Sequence, residues 1–209
     1  MPQFIFDFLH QLKSTSELEW IGTVTGVVCV YLAAKQRIWN WPISIVSVCC
    51  YLIIFYQHRL YGDSILQIYF LLTAIYGWYY WRKRDLSDEK PISSLSLTHI
   101  ALTIAAIVVL GLSLGFTLRY WTDTDVPFAD GMCTAMSFVA QFLMTRKILQ
   151  SWVIWIAVNL CYIPLYLHKE LAMTAVLYVI FAGIAWNGYR DWKRTYSANI
   201  LEHASTPAS

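Results

Sequence analysis

Seven apolar segments, each bounded by charged residues, divide this chain. They lie at about Trp20–Ala34, Trp41–Tyr56, Ser64–Trp81, Leu97–Leu118, Met132–Met144, Trp152–Leu167 and Ala172–Tyr189. Only 13% of the residues are charged, against roughly 25% in a soluble domain. Several segments are shorter than the ~20 residues that cross a bilayer, so we expect their helices to extend into the flanking polar residues. The sequence predicts an all-α integral membrane protein with seven transmembrane helices.

A repeat relates the first three segments to the last three. An ungapped offset of 111 residues aligns Trp41 with Trp152, Gly77 with Gly188, and Trp81-Arg82-Lys83 with Trp192-Lys193-Arg194. Matched tryptophan, glycine and basic residues indicate a duplicated three-helix unit. Because one segment separates the two units, both begin on the same side of the membrane. We therefore predict two parallel repeats joined by a linker helix (3+1+3), with a solute site between them near the midplane.

These patterns divide the chain into five parts. Residues 1–19 alternate apolar and polar side chains at helical spacing, which predicts an amphipathic helix lying in the membrane interface. The first three-helix repeat and its loop are predicted at 20–96, the linker helix and loop at 97–126, the second repeat at 127–194 and a cytoplasmic tail at 195–209. No removable signal peptide is predicted, because the N-terminus lacks a basic region followed by an apolar core and a small-residue cleavage site.

Eleven of the fifteen lysines and arginines lie on one side of the membrane in the predicted arrangement of helices. By the positive-inside rule this side is cytoplasmic, which predicts the N-terminus outside and the C-terminus in the cytoplasm. A net charge of +2 in scattered clusters does not favour nucleic-acid binding. The five cysteines all lie in apolar runs without a CxxC pair, so we interpret them as buried small side chains and predict no metal site.

Polar side chains within the segments recur at helical spacing and should face the bundle interior. The polar and aromatic faces include Tyr51 in the second segment, Gln67 in the third, Gln141 in the fifth, and Trp155, Asn159 and Tyr162 in the sixth. Gln67 and Asn159 lie well inside their segments, where either alone is explained by an interhelical hydrogen bond. Together with the neighbouring aromatic rings they predict a binding site, in which a flat ring stacks on the aromatics while the carboxamides contact its polar edge.

Other polar and aromatic residues allow simpler interpretations. Tryptophans at segment ends are typical of an interfacial belt; these are Trp20, Trp41, Trp78, Trp81, Trp152, Trp186 and Trp192. Asp63 and Asp130 lie near the outer ends of their segments. Each carboxylate caps a helix, pairs with a nearby arginine (Arg59 or Arg119), or attracts a cationic solute.

Enzyme motifs are missing from the sequence. It contains no HExxH, no GxSxG and no phosphate-binding glycine-rich loop. The last segment has no lysine of the kind that binds retinal, and no nucleotide motif indicates an ATP-driven motor. We predict a non-enzyme without a cofactor or catalytic residues.

Several motifs resemble the Pnu family of bacterial vitamin transporters. They are NWPISIVS, FYQHRLYGDSILQIYF, IYGWYYW, MTRKILQSWVIWIAVN and WNGYRDW, and the resemblance runs from about Trp20 to Trp192. It implies facilitated diffusion through a 3+1+3 bundle related to the SWEET sugar transporters, in the inner membrane and as a homotrimer. It also implies that cytoplasmic phosphorylation traps the vitamin. By matching position, Gln67, Trp155, Asn159 and Asn187 would contact the substrate.

The resemblance leaves the vitamin open. Nicotinamide riboside carriers often have Asn directly before the first Trp of WxxW, where this chain has Ser151. Other members carry thiamine, riboflavin or deoxynucleosides. Nicotinamide riboside and thiamine both contain a flat cationic ring that suits an aromatic and carboxamide site. We predict nicotinamide riboside, with thiamine as the alternative. A vitamin sensor without turnover, or a structural membrane subunit, is a hypothesis from another class.

Overall fold

Seven α-helices make up the part of the chain that the computed structural model describes, which is residues 16–57, 61–85, 91–168 and 172–205. In chain order they are α1 (Glu17–Ala34), α2 (Asn40–Gln57), α3 (Tyr61–Asp85), α4 (Leu97–Trp121), α5 (Pro127–Thr145), α6 (Gln150–His168) and α7 (Ala172–Ser205). Each predicted apolar segment lies within one helix, and every helix extends beyond its segment. For these described residues, the prediction of an all-α protein with seven helices is confirmed.

Length and composition alone would allow three of these helices, α1, α2 and α4, to cross a membrane, and α6 contains a shorter apolar stretch at Gln150–Leu165. Ser16 begins α1 with a capping box: its hydroxyl accepts a hydrogen bond from the Glu19 amide, and the Glu19 carboxylate accepts one from the Ser16 amide at 2.7 Å. The interfacial helix predicted at 1–19 falls mostly outside the described residues, and its last residues, from Glu17, belong to α1.

Helix contacts divide the bundle into two groups. Within the first, α1 packs on α2 and α2 on α3; within the second, α5 packs on α6 and α6 on α7. Contacts of α1 with α7 and of α3 with α5 join the two groups. Helix α4 packs on α5 alone among the described helices. The backbones of α4 and α5 approach each other closely, because a Cβ atom on Gly131 of α5 would lie 2.5 Å from the amide nitrogen of Gly115 of α4.

Four buried tryptophans form the core at one end of the bundle, where α1 and α5 end and α2 and α6 begin. Trp41, Trp81, Trp152 and Trp192 are each 0–1% exposed. Their ring centroids lie 5.3 Å apart for Trp41 and Trp81, 6.1 Å for Trp81 and Trp192, and 5.6 Å for Trp152 and Trp192. We call this region the tryptophan end. Burying four large aromatic rings stabilises the junction between the two groups of helices.

The interfacial-belt interpretation is wrong for these four residues. Trp20, Trp78 and Trp186 are 39–55% exposed and fit a belt, but the four core indoles lie inside the bundle. Glycines provide the space: Gly77 lies against the Trp41 ring and Gly188 against the Trp152 ring. Both arrangements place tryptophan near the end of an apolar segment in the sequence, so position alone did not distinguish them.

Hydrogen bonds from two tryptophans connect the two groups of helices. The indole N–H of Trp81, in α3, donates to the carbonyl oxygen of Thr145, in α5, at 3.1 Å. The indole N–H of Trp192, in α7, donates to the carbonyl oxygens of Ala33 and Ala34, in α1, both at 3.2 Å. Each bond satisfies a buried donor and a carbonyl at a helix C-terminus.

A short extended segment, residues 91–96, leads into α4 and attaches to the turn between α5 and α6. The Ser93 amide donates to the Lys147 carbonyl at 3.1 Å, and the Leu149 amide donates to the Ser93 carbonyl at 2.9 Å. The Gln150 side chain donates to the Ser94 hydroxyl at 2.7 Å and accepts from the Leu95 amide at 3.0 Å. Helix α4 is therefore fixed to the second group of helices at the α5 crossing and again through this segment.

Candidate functional site

A cavity of about 270 Å³ lies between the two groups of helices. Its lining comes from α1, α2, α3, α5, α6 and α7, and no residue of α4 contributes. Asn40, Trp41 and Trp152 line it at the tryptophan end, where α2 and α6 begin. The cavity thus occupies the interface that the repeat pattern predicts for a solute site.

Five of the eight residues predicted for the site line this cavity. They are Gln67, Gln141, Trp155, Asn159 and Tyr162. The carboxamides of Gln67, Gln141 and Asn159 make no hydrogen bond to any described part of the chain. Asn159 is nevertheless only 4% exposed. Polar groups beside a buried cavity and without protein partners are available to bind a polar solute.

The other three predicted residues lie elsewhere. The Tyr51 hydroxyl lies 2.8 Å from the Thr23 hydroxyl of α1, and its ring stacks on Phe55, so Tyr51 joins α1 to α2. Ser151 is fully buried behind the lining, with its hydroxyl 4.0 Å from the Met144 sulfur. Asn187 is exposed on the outer surface of α7.

The predicted acidic residues do not line the cavity among the side chains that the structure describes. Asp130 lies in the first turn of α5 and accepts a hydrogen bond from the Thr124 hydroxyl at 2.9 Å. This contact joins the loop between α4 and α5 to the first turn of α5. An acidic side chain is also favourable near a helix N-terminus. The prediction for Asp63 concerns a side chain outside the described part.

Further lining residues were missed by the sequence interpretation. They include Asn40 of α2 and the aromatic Tyr178 and Phe181 of α7. Tyr178 lies 4.8 Å from Tyr162, centroid to centroid, and its ring meets Phe181 edge-on at 5.9 Å. Asn40 had a signal in the sequence, because it precedes Trp41 as Ser151 precedes Trp152.

No acidic or basic side chain lines the cavity within the described residues. The same residues contain no cluster of His, Cys, Asp and Glu that could hold a metal ion. The site therefore offers neutral hydrogen-bonding groups and aromatic faces. Aromatic faces attract a cationic ring without a carboxylate partner.

Comparison with known proteins agrees with this architecture. Residues 16–194 match the family described as "Nicotinamide mononucleotide transporter". The nicotinamide riboside transporter PnuC of Escherichia coli is 27% identical over 90% of this chain and 91% of that protein. The riboflavin/roseoflavin transporter RibM of Streptomyces davaonensis is also 27% identical, over 89% of this chain and 90% of its own length.

A solved structure has the same fold. The crystal structure of the vitamin B3 transporter PnuC superposes with a TM-score of 0.73, covers 93% of this chain and 88% of that chain, and is 24% identical in sequence. The match to the family spans nearly the whole helical bundle, so the resemblance seen in the sequence motifs is confirmed. The chain belongs to the nicotinamide mononucleotide transporter family, the PnuC-like vitamin transporters, and is a multi-pass protein of the bacterial inner membrane.

Proposed function

We propose that this protein carries nicotinamide riboside across the inner membrane by facilitated diffusion. The observation that carries the proposal is the neutral cavity, in which three carboxamides without hydrogen-bond partners among the described residues lie among aromatic rings. The pyridinium ring of nicotinamide riboside is flat and cationic, and its amide group both donates and accepts hydrogen bonds. Trp155 would stack on the ring, while Gln67 and Asn159 would pair with the amide.

The size of the cavity supports a solute with a single-ring base. At about 270 Å³ it lies just below the ~300–1,000 Å³ of typical ligand pockets. Riboflavin, the substrate in the name of the relative RibM, has three fused rings and would fill more space. Thiamine, with two small separate rings, remains the alternative substrate.

Facilitated diffusion fits the neutrality of the lining. A transporter coupled to Na⁺ or H⁺ needs groups that bind the ion, commonly carboxylates within the membrane. None lines the cavity in the described part of the chain. We propose that cytoplasmic phosphorylation of the vitamin sustains net uptake, as the family resemblance implies.

The proposal includes the 3+1+3 arrangement. Contacts recur at positions 111 residues apart: Gly77 against Trp41 resembles Gly188 against Trp152. The turns after α1 and α5 also resemble each other, with positive φ angles of 54° at Gln36 and 56° at Lys147. These similarities support two parallel repeats, with α4 as the linker. The homotrimer and the orientation with the N-terminus outside are proposed from the resemblance and from the distribution of basic residues.

Transport into liposomes tests the proposal. Purified protein would be reconstituted, and uptake of radiolabelled nicotinamide riboside, thiamine and riboflavin compared with protein-free liposomes. At zero membrane potential we expect nicotinamide riboside to equilibrate, and to accumulate only when a riboside kinase and ATP are enclosed. Accumulation driven by a sodium or proton gradient at zero membrane potential would contradict facilitated diffusion. Binding without uptake of any of the three solutes would instead favour a sensor.

A further inference from the structure

Two cysteine thiols meet between α5 and α6. The thiol of Cys133, in α5, interacts with the thiol of Cys161, in α6, and the two helices pack against each other. Cys133 precedes the end of α5 by twelve residues, and Cys161 follows the start of α6 by eleven. Because the two helices are antiparallel and joined by a short turn, both side chains lie at the same depth, about 17 Å from that turn at 1.5 Å per residue. The contact therefore belongs to the packing of this helix pair.

The first group of helices shows how closely these two positions approach. At the offset of 111 residues, Gly22 corresponds to Cys133 and Cys50 corresponds to Cys161. A Cβ atom added to Gly22 would lie 3.3 Å from the Cβ atom of Cys50. The two Cβ atoms of a disulfide lie about 3.5–4.5 Å apart. The equivalent positions thus have nearly the spacing of a disulfide, and in the second group both positions carry a thiol.

The two thiols differ in exposure. Cys161 is exposed on the surface of the bundle, whereas Cys133 is 4% exposed. The interpretation of all five cysteines as buried side chains is therefore wrong for Cys161. An oxidant reaches Cys161 first, and Cys133 then lies within reach to complete the reaction. This is the arrangement of a reactive cysteine beside a resolving cysteine.

We propose that Cys133 and Cys161 form a reversible disulfide that joins α5 to α6. The S–S bond forms as both S–H bonds break, and two electrons and two protons pass to a two-electron acceptor such as a quinone, which becomes a quinol. Both cysteines lie in the half of the bundle away from the tryptophan end, which is the external half in the proposed orientation. Disulfides persist on that side of a bacterial inner membrane, because the compartment is oxidising.

Stabilisation is the expected consequence of this bond. The bond closes the chain between α5 and α6 into a loop and so restricts the unfolded state. It lies within one group of helices, and the contacts that join the two groups, α1 with α7 and α3 with α5, are not part of it. Oxidation should therefore raise the melting temperature while solute exchange continues at a similar rate.

Thiol counting after treatment with diamide tests the proposal. Diamide takes two electrons and two protons from a pair of thiols and becomes a hydrazine. The full-length protein in detergent would be oxidised, freed of reagent, denatured and titrated for free thiols. We expect two of the five thiols to be lost, dithiothreitol to restore them, and mass spectrometry to identify a peptide pair linked through Cys133 and Cys161. Oxidised protein should melt several degrees above reduced protein and transport solute into liposomes at a similar rate.

Two serine variants separate this pair from the other cysteines. Cys161→Ser removes the exposed partner and should abolish both the loss of thiols and the dependence of the melting temperature on oxidation. Cys49→Ser, in α2, is the matched control and should keep both responses.

Five free thiols after diamide treatment would overturn the proposal, as would a loss of thiols that persists in Cys161→Ser or a disulfide between two copies of the chain on a non-reducing gel. Oxidised protein that binds its solute and no longer transports it would overturn the purely stabilising role. Failure of the proposed function has a different signature, in which reduced protein transports none of the vitamins tested while the disulfide still forms.

Discussion

Replacing Gly77 by alanine should disturb the tryptophan end directly. A Cβ atom at this position would lie 2.5 Å from Cζ2 and 2.7 Å from Cζ3 of Trp41. Carbon atoms in favourable contact lie about 3.5–4.0 Å apart, so the ring must move by about 1 Å. Trp41 is 1% exposed and already packs edge-on against Trp81 at 5.3 Å. The open space nearby is the cavity, so the displaced ring would narrow the binding site.

Gly183→Ala is the matched control for this effect. It lies in a helix, and an added Cβ would meet nothing within 4 Å. Both substitutions gain the same helix propensity, about 0.8–1.0 kcal/mol. Overpacking in a tight core costs about 1–3 kcal/mol and applies to Gly77→Ala alone. The difference in stability between the two variants should therefore be about 1–3 kcal/mol, with Gly77→Ala the less stable.

The assay is thermal unfolding of both purified variants in the same detergent, followed by titration with nicotinamide riboside. Gly77→Ala should melt below Gly183→Ala and bind more weakly. Equal melting temperatures and equal affinities would refute the reasoning, because they would show that the Trp41 ring can move without cost. Gly188→Ala should give a smaller effect of the same kind, since its Cβ would lie 2.8–2.9 Å from Trp152.

Three further predictions concern the site and the topology. Gln67→Ala and Asn159→Ala should each weaken riboside binding about 5- to 150-fold with little change in melting temperature; unchanged calorimetric affinity in folded protein would show that these carboxamides only join helices. Tyr51→Phe removes the hydrogen bond between the Tyr51 and Thr23 hydroxyls, and should lower the free energy of unfolding by about 0.5–1.5 kcal/mol without loss of riboside affinity. Weaker binding at wild-type stability would show that Tyr51 contacts the solute. A reporter at the C-terminus should be cytoplasmic and one at the N-terminus external, and finding both on one side would contradict the predicted odd number of spans.

Helical periodicity was sufficient to predict the seven helices and the polar residues that face the interior. It works because a lipid-exposed surface must be apolar, so polar side chains within a span turn towards the bundle. Gln67, Gln141 and Asn159 face the interior as this reasoning predicts, and they line the cavity. Tyr51 also faces the interior, but its hydroxyl pairs with Thr23 of a neighbouring helix. Periodicity identifies the face of a helix but does not identify the partner of a side chain.

The tryptophan end could not be predicted from periodicity. Trp41 and Trp152 begin their helices, where an interfacial location and an interior one give the same sequence pattern. The distinction depends on Gly77 and Gly188, which are distant in sequence and leave space for the rings. Asn40 was missed because it lies at the start of its helix, outside the segment that hydropathy marks.

The two junctions between the groups of helices should respond differently to ionic strength. At one, Lys35 and Asp191 form an exposed ion pair at 2.8 Å, which also raises the pKa of Lys35 through the hydrogen bond to the carboxylate. At the other, the guanidinium of Arg146 lies 5.1 Å from the centroid of Tyr80. Salt screens exposed charge pairs, with a Debye length of about 8 Å at 0.15 M, and affects packed cation–ring contacts less. Rising salt should therefore weaken the contact of α1 with α7 more than the contact of α3 with α5. The two contacts that join the groups of helices would then differ in strength.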